Sequence, residues 1–201
     1  MQNSCSFSSN CNFTSLNKNM KKVIALIAVI VVLASCSKDQ DPFEWNKDRV
    51  GHLTKDMKVF QLDSIYANDS IVRAVKGDEF SNGANQIEIF EKGGAHLLTL
   101  TPSEALDSTA TIENIIIRDE RFTTLKGITK NSTYKEISTA YKISSVDNMI
   151  DDAVIWVNEE NFYFTISKDD LPTDVKFDIS ASIEKTMIPE DTKPLYMFVS
   201  W

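Results

Sequence analysis

His52 and His96 are the only histidines in this chain, and neither has a cysteine or carboxylate beside it at metal-ligand spacing. A zinc centre needs three or four nitrogen, sulfur or oxygen donors converging on one point, so the sequence offers no metal site. It also has no nucleophile elbow, phosphate-cradling glycine loop or calcium loop, and no cofactor is expected. Paired carboxylates are the remaining route to catalysis. Asp119-Glu120, Asp151-Asp152, Glu159-Glu160, Asp169-Asp170 and Glu190-Asp191 supply them. Two carboxyls divide acid and base work only when they face one another across a substrate. Adjacent acids in a strand point to opposite faces, and most of these pairs fall where turns are expected. The densest polar cluster, Arg118-Asp119-Glu120-Arg121, follows the apolar Ile115-Ile116-Ile117 and should emerge at a strand end. It is the leading candidate polar site. A hydrolase using Asp119 or Glu120 with Arg118 or Arg121 would need a concave pocket and a carboxyl of raised pKa.

Aromatic side chains form the second candidate. Trp156, Phe162 and Phe164 flank the Asn158-Glu159-Glu160 turn, and exposed rings there would stack on a sugar or anchor a protein partner, whereas buried ones would be core. The closing run Leu195-Tyr196-Met197-Phe198-Val199-Ser200-Trp201 reads as the last strand of a soluble sheet. A membrane barrel needs many strands of about ten residues with lipid-facing girdles.

The segment that carries an address is Met20 to Cys36. Lys21 and Lys22 precede an unbroken apolar run from Val23 to Leu33, and Leu33-Ala34-Ser35-Cys36 follows. The run is shorter than the roughly 18 to 20 residues that cross hydrocarbon, and it ends in small residues before a cysteine. Leu-Ala-Ser-Cys resembles the lipobox of bacterial lipoproteins. That resemblance implies diacylation of the Cys36 thiol, cleavage before it and acylation of the freed amine, so residues 1–35 are read as an extension plus signal peptide, with Met20 as the expected start. Ser37-Lys38-Asp39-Gln40-Asp41 is similar to the charged export signal of Bacteroidota surface lipoproteins. It implies an outer-membrane, lipid-anchored protein, with Ser37, Lys38, Asp39 and Asp41 carrying the signal and residues 36–47 forming a tether. Asp69-Ser70-Ile71 and Asp107-Ser108-Thr109 resemble Bacteroidota O-glycosylation sites, at Ser70 and Ser108.

Of the 21 basic residues, Lys18, Lys21 and Lys22 precede Cys36. The 166 residues from Cys36 on therefore hold 18 bases against 29 acids, a net charge of −11. That balance repels a nucleic-acid backbone. With Cys36 lipidated and Cys5 and Cys11 removed, no free thiol remains, which excludes disulfides and cysteine nucleophiles together. A chain of this length suits one domain.

An internal repeat organises that domain. Thr54 to Tyr66 lines up with Thr129 to Tyr141 at an offset of 75, with Gly51 and Gly127 before the two copies. The same offset sets Gln86–Phe90 on Asn161–Thr165, and an offset of 71 sets Ile112–Ile117 on Ile183–Ile188. Val59, Leu62, Ile65 and Tyr66, and again Tyr134, Ile137, Ala140 and Tyr141, have the spacing of one buried helical face. Thr133 and Glu136 stand at capping-box spacing, and Thr54 or Asp56 is placed to cap the earlier helix. Strands are expected at 71–76, 86–90, 97–101, 111–118, 154–157, 162–166, 183–188 and 196–199. The reading is α+β: two related helix-plus-antiparallel-strand repeats of about 75 residues, at 48–124 and 125–201, sharing a sheet-rich domain. Repeat length, the two glycines and lipidation resemble the β-lactamase inhibitory protein family and the small helix-plus-sheet lipoproteins of outer-membrane assembly. The overall texture resembles uncharacterised Bacteroidota outer-membrane lipoproteins. The class implied is a non-enzymatic binding lipoprotein of the cell envelope, anchored by lipid in the membrane, whose partner is an envelope protein or a glycan.

Overall fold

The computed structural model describes residues 41–73 and 85–201. Cys36, Ser37, Lys38 and Asp39, together with the signal segment, lie outside the described residues, as does the end of the strand expected at 71–76. No described helix is long and apolar enough to cross a membrane.

Eight antiparallel strands form one sheet. They fall into two four-strand meanders, each preceded by a helical segment. The first helical segment is a 3₁₀ turn at Val59–Gln61 running into α1, Leu62–Ile65, and its meander is β4 (Ser70–Arg73), β5 (Ile87–Phe90), β6 (His96–Pro102) and β7 (Ile112–Ile117). The second is α2, Tyr134–Ala140, followed by β9 (Ser145–Asn148), β10 (Asp152–Val157), β11 (Phe162–Ser167) and β12 (Tyr196–Ser200). The order across the sheet is β4-β5-β6-β7-β12-β11-β10-β9, so the last strand of each meander pairs with the other at the centre. A second, four-stranded sheet is made by β1 (Glu44–Asn46), β2 (Arg49–Val50), β3 (Leu53–Thr54) and β8 (Thr123–Thr124), in the order β3-β2-β1-β8. A short α3 at Thr173–Lys176 precedes the crossing to β12.

The sheet is polarised by alternation. Ile87, Ile89, Leu98, Leu100, Ile115, Ile117, Met197, Val199, Phe162, Phe164, Ile155 and Val157 share one face and are all buried. The helices and the small sheet join the core formed on that face. Leu62 and Ile137 are fully buried, Tyr141 meets Phe162 edge-on at 5.4 Å, and Trp45 meets the same ring at 5.2 Å. Each such side chain contributes roughly 1.5–3 kcal/mol of burial.

The helical segments repeat their geometry at an offset of 75. Met57 N–H donates to the Thr54 carbonyl, and Ser132 N–H donates to the Thr129 carbonyl. Lys58 N–H donates to Gln61 Oε1 and Thr133 N–H to Glu136 Oε2, both at 2.7 Å. Thr133 completes its capping box through Oγ1, which accepts from Glu136 N–H. Val59 and Phe60 donate to the carbonyls of Ala110 and Ser108, and Tyr134 and Lys135 donate to those of Thr192 and Glu190. Each helix start is thereby tied to the turn leading into the final strand of its own meander.

Four expectations are corrected. The tether ends before residue 47: Asp41 Oδ1 accepts from Phe43 N–H at 2.9 Å, and Trp45 is fully buried in β1, so residues 42–47 belong to the fold. The segment Ile183–Ile188 is no strand but a loop with a 3₁₀ turn at Lys185–Met187 whose two end isoleucines are buried. The first helix is capped neither by Thr54 nor by Asp56, since Lys58 occupies its N-cap. Moreover, β5 stands second in its meander and β11 third, so the offset that equates 86–90 with 161–165 does not join equivalent strands.

Both glycines ahead of the helices have positive φ, +55° at Gly51 and +78° at Gly127. A β-carbon at Gly51 would lie 2.5 Å from the Pro42 carbonyl oxygen, whereas one at Gly127 would meet nothing within 4 Å. Gly127→Ala is therefore expected to cost about 1–2 kcal/mol of left-handed strain. Gly51→Ala adds a backbone clash and should cost clearly more. Equal urea midpoints for the two variants would contradict this.

Candidate functional site

The face of the large sheet opposite the core carries one continuous row of side chains. Register places Ser145, Trp156, Tyr163, Phe198, Ile116, Thr99, Glu88 and Val72 side by side, one from each of the eight strands. Three neighbouring rings form a stack. Trp156 and Tyr163 have centroids 4.6 Å apart at 34°, and Tyr163 and Phe198 are 4.6 Å apart and nearly parallel, at 4°. Tyr196 continues the group beside Phe198 at 6.2 Å and is 47% exposed. The polar tips are fixed by neighbours: Trp156 Nε1–H donates to Asp147 Oδ2 at 2.7 Å, and Asn114 Nδ2–H donates to the Tyr163 hydroxyl at 2.7 Å.

This corrects the aromatic candidate. Phe162 and Phe164 face the core, at 1% and 0% exposure, because Phe162 lies opposite Val157 and Phe164 opposite Ile155. Only Trp156 of the expected trio reaches the outer face, where its companions are Tyr163 and Phe198. The signal that would have found them is period-two alternation through the hairpin: a strand that buries Phe162, Phe164 and Ile166 must turn Tyr163 outward.

The cluster at 118–121 does not converge on one point. Arg121 is saturated by carboxylates. Its Nε and Nη2 donate to Asp119 at 2.9 and 3.0 Å, and Nη1 and Nη2 donate to Glu91 at 3.1 and 2.9 Å. The guanidinium also lies 4.2 Å above the Phe43 ring. The arrangement clamps the end of β5 and the strand-end turn against the small sheet. The Arg121 hydrogen bonds hold the Asp119 carboxyl below the usual carboxylate range, the reverse of what a general acid requires. Glu120 accepts from Asn131 Nδ2–H at 2.8 Å.

Arg118 goes elsewhere, onto the outer face. Its Nε–H donates to Thr99 Oγ1 at 3.0 Å, and its guanidinium carbon lies 5.3 Å from the centre of the Tyr196 ring. Thr99 Oγ1 in turn stands 3.2 Å from His96 Nε2. Burial first, and then the Arg118 charge, push the His96 pKa below its ordinary value against the pull of Glu88. A cavity of about 270 Å³ opens beside Arg118, lined also by Lys130, Asn131, Pro194, Leu195 and Tyr196. Sequence reading missed Lys130 as part of this site, because only the fold brings it to β7: its Nζ donates to the Arg118 carbonyl at 2.5 Å.

Of the two glycosylation candidates, Ser70 is exposed on the edge strand β4, and Ser108 is exposed in a turn where Asp107 Oδ1 accepts from Thr109 N–H and Oγ1–H.

No family model matches the sequence, and no curated protein matches it. Among solved structures, the chain is similar to the crystal structure of the uncharacterized protein yfeY from Escherichia coli. The TM-score is 0.44 at 11% identity, covering 79% of this chain and 99% of that one.

Proposed function

We propose that this chain is a lipoprotein of the cell envelope, acylated at Cys36 and held at the outer membrane, whose domain binds a protein partner with the open face of its large sheet. The observation that carries the reading is the Trp156–Tyr163–Phe198 stack on that face. A sugar binds an aromatic residue by lying on the ring's flat face. Here the Tyr163 ring is sandwiched between Trp156 and Phe198, so both of its flat faces are already occupied. Stacked rings with their N–H and O–H groups already partnered suit an apolar protein surface better than a glycan. Anchoring confines encounters to the membrane plane and raises the effective concentration of a co-resident partner.

The same reading takes the two helix-plus-meander halves as diverged copies of one ancestral unit. The paired hydrogen bonds at offset 75 support it, as does the equivalence of the buried Val59, Leu62 and Tyr66 with Tyr134, Ile137 and Tyr141. Sequence offsets for the later strands drift because the connections differ in length, the longest being the 28 residues between β11 and β12. Of the two carboxyls open to the hydrolase alternative, Asp119 is engaged by the Arg121 clamp, and Glu120 is exposed and bonded to Asn131.

A photo-crosslinking benzoylphenylalanine at Tyr163 or Phe198 should capture one discrete envelope protein in intact cells, and Trp156→Ser should abolish that product. The same probe at the exposed Phe60, on the first helical segment, should give none. Indistinguishable products from all three positions would refute the surface. In parallel, an epitope-tagged protein should be digested by protease on intact cells and protected when Lys38, Asp39 and Asp41 are changed to Ala. Protection of both would move the partner search to the periplasm.

A further inference from the structure

Four arginines are present in the chain, all in the described part. Arg49 pairs with Glu44, Arg73 with Asp63, and Arg121 with both Asp119 and Glu91. Arg118 has no carboxylate partner among the described residues, although the chain carries 29 acids. It is partly buried, and its one hydrogen bond among the described residues uses Nε, so within them the two terminal nitrogens have no acceptor. Lys130, also partly buried, donates its ammonium, among the described residues, only to the Arg118 backbone carbonyl. Taking two cations partly out of water without an anion is costly. A guanidinium with both terminal nitrogens available is shaped for bidentate binding of a planar oxyanion.

We propose that Arg118 and Lys130 form a carboxylate-binding pocket at the edge of the aromatic face, occupied by a partner protein that presents a carboxylate next to an apolar side chain. The proposal rests on the reading that this face binds a protein. Continuity supports it: the Arg118 guanidinium lies over Tyr196, and Tyr196 adjoins Phe198 at the end of the ring stack. The cavity wall beside the cations includes Pro194 and the half-exposed Leu195. That wall would contact the side chain carried beside the carboxylate. Charge selects a carboxylate over a phosphate. Asp119 is already paired with Arg121, and Glu120, held by Asn131 of the cavity lining, offsets one of the two cations, so the remaining positive charge suits one monoanion and disfavours a dianion, a phosphate-rich surface or a nucleic acid.

The test is phenylglyoxal modification of the full lipidated protein in detergent, followed adduct by adduct by peptide mass spectrometry. At constant ionic strength, N-acetylphenylalanine should slow modification of Arg118 about tenfold or more through the charge-assisted pair and leave Arg49, Arg73 and Arg121 unchanged. Propionate, which lacks the neighbouring ring, reports a side-chain carboxylate. Protection at lower concentration by N-acetylphenylalanine would assign a chain-terminal acid, and equal protection a side-chain one. Lys130→Gln should weaken protection by either. Protection by chloride as strong as by the carboxylates, stronger protection by phosphate, or an Arg118 that does not react without anions would each overturn the pocket. Crosslinking from Tyr163 reports the face separately: protection without crosslinking keeps the pocket and removes the face, and crosslinking without protection does the reverse.

Discussion

Trp45→Ala is expected to destabilise the domain by about 3–5 kcal/mol, as large-to-small changes of fully buried aromatic residues do. The sequence reading places Trp45 in the tether expected at residues 36–47. The fold places it at 0% exposure, edge-on against Phe162, in a strand that pairs antiparallel with β2 and parallel with β8. Removing the indole would leave a cavity between the small sheet and the core face of the large one. Since a domain of this size is stable by roughly 5–15 kcal/mol in total, much of its margin would go. Phe43, one strand position before Glu44, is only partly buried and packs edge-on against Phe122 at 5.2 Å, beneath Arg121. Phe43→Ala should cost clearly less. Urea denaturation followed by far-ultraviolet circular dichroism would compare them. A Trp45→Ala midpoint equal to that of the parent would return residues 42–47 to the tether.

Strands that lie inside the sheet were legible, because burial on one face imposes alternation on residues such as Ile87-Glu88-Ile89-Phe90. The edge strand β9, Ser-Val-Asp-Asn, was not. It pairs on one side only, so it needs no apolar run, and its existence is dictated by β10 beside it. Ile183–Ile188 misled for the opposite reason: its two terminal isoleucines are both buried, whereas at a spacing of five a strand would turn them to opposite faces. The loop turns both inward. The helix starts were readable at offset 75 because capping and turn bonds are local. The candidate site was legible only in its residue types. Trp156 and Arg118 were flagged in the sequence, but which aromatics share a face with them depends on register, and Lys130 reaches Arg118 only through tertiary packing.

Deleting residues 196–201 is expected to abolish folding altogether, an effect far beyond the loss of a C-terminal tail. At most chain ends the last residues fray at little cost. Here the last strand is the central seam of the sheet. β12 pairs with β7 on one side and β11 on the other, and without it no strand pairing joins the two meanders among the described residues. Its loss would take one of the two ladder partners from each of Ile115 and Phe164, and would remove the fully buried Met197 and Val199. It would also remove Tyr196 and Phe198 from the outer face, so no shortened chain could keep the proposed binding surface. The point variant Val199→Ala separates the two roles. It lies on the core side, opposite Ile115 and Phe162, and should cost about 1–3 kcal/mol while leaving the outer rings in place. Phe198→Ala should cost less stability and lose the crosslink from Tyr163. A truncated protein with native-like near-ultraviolet dichroism and cooperative unfolding would show that the halves fold separately, and would contradict a sheet joined at β7 and β12.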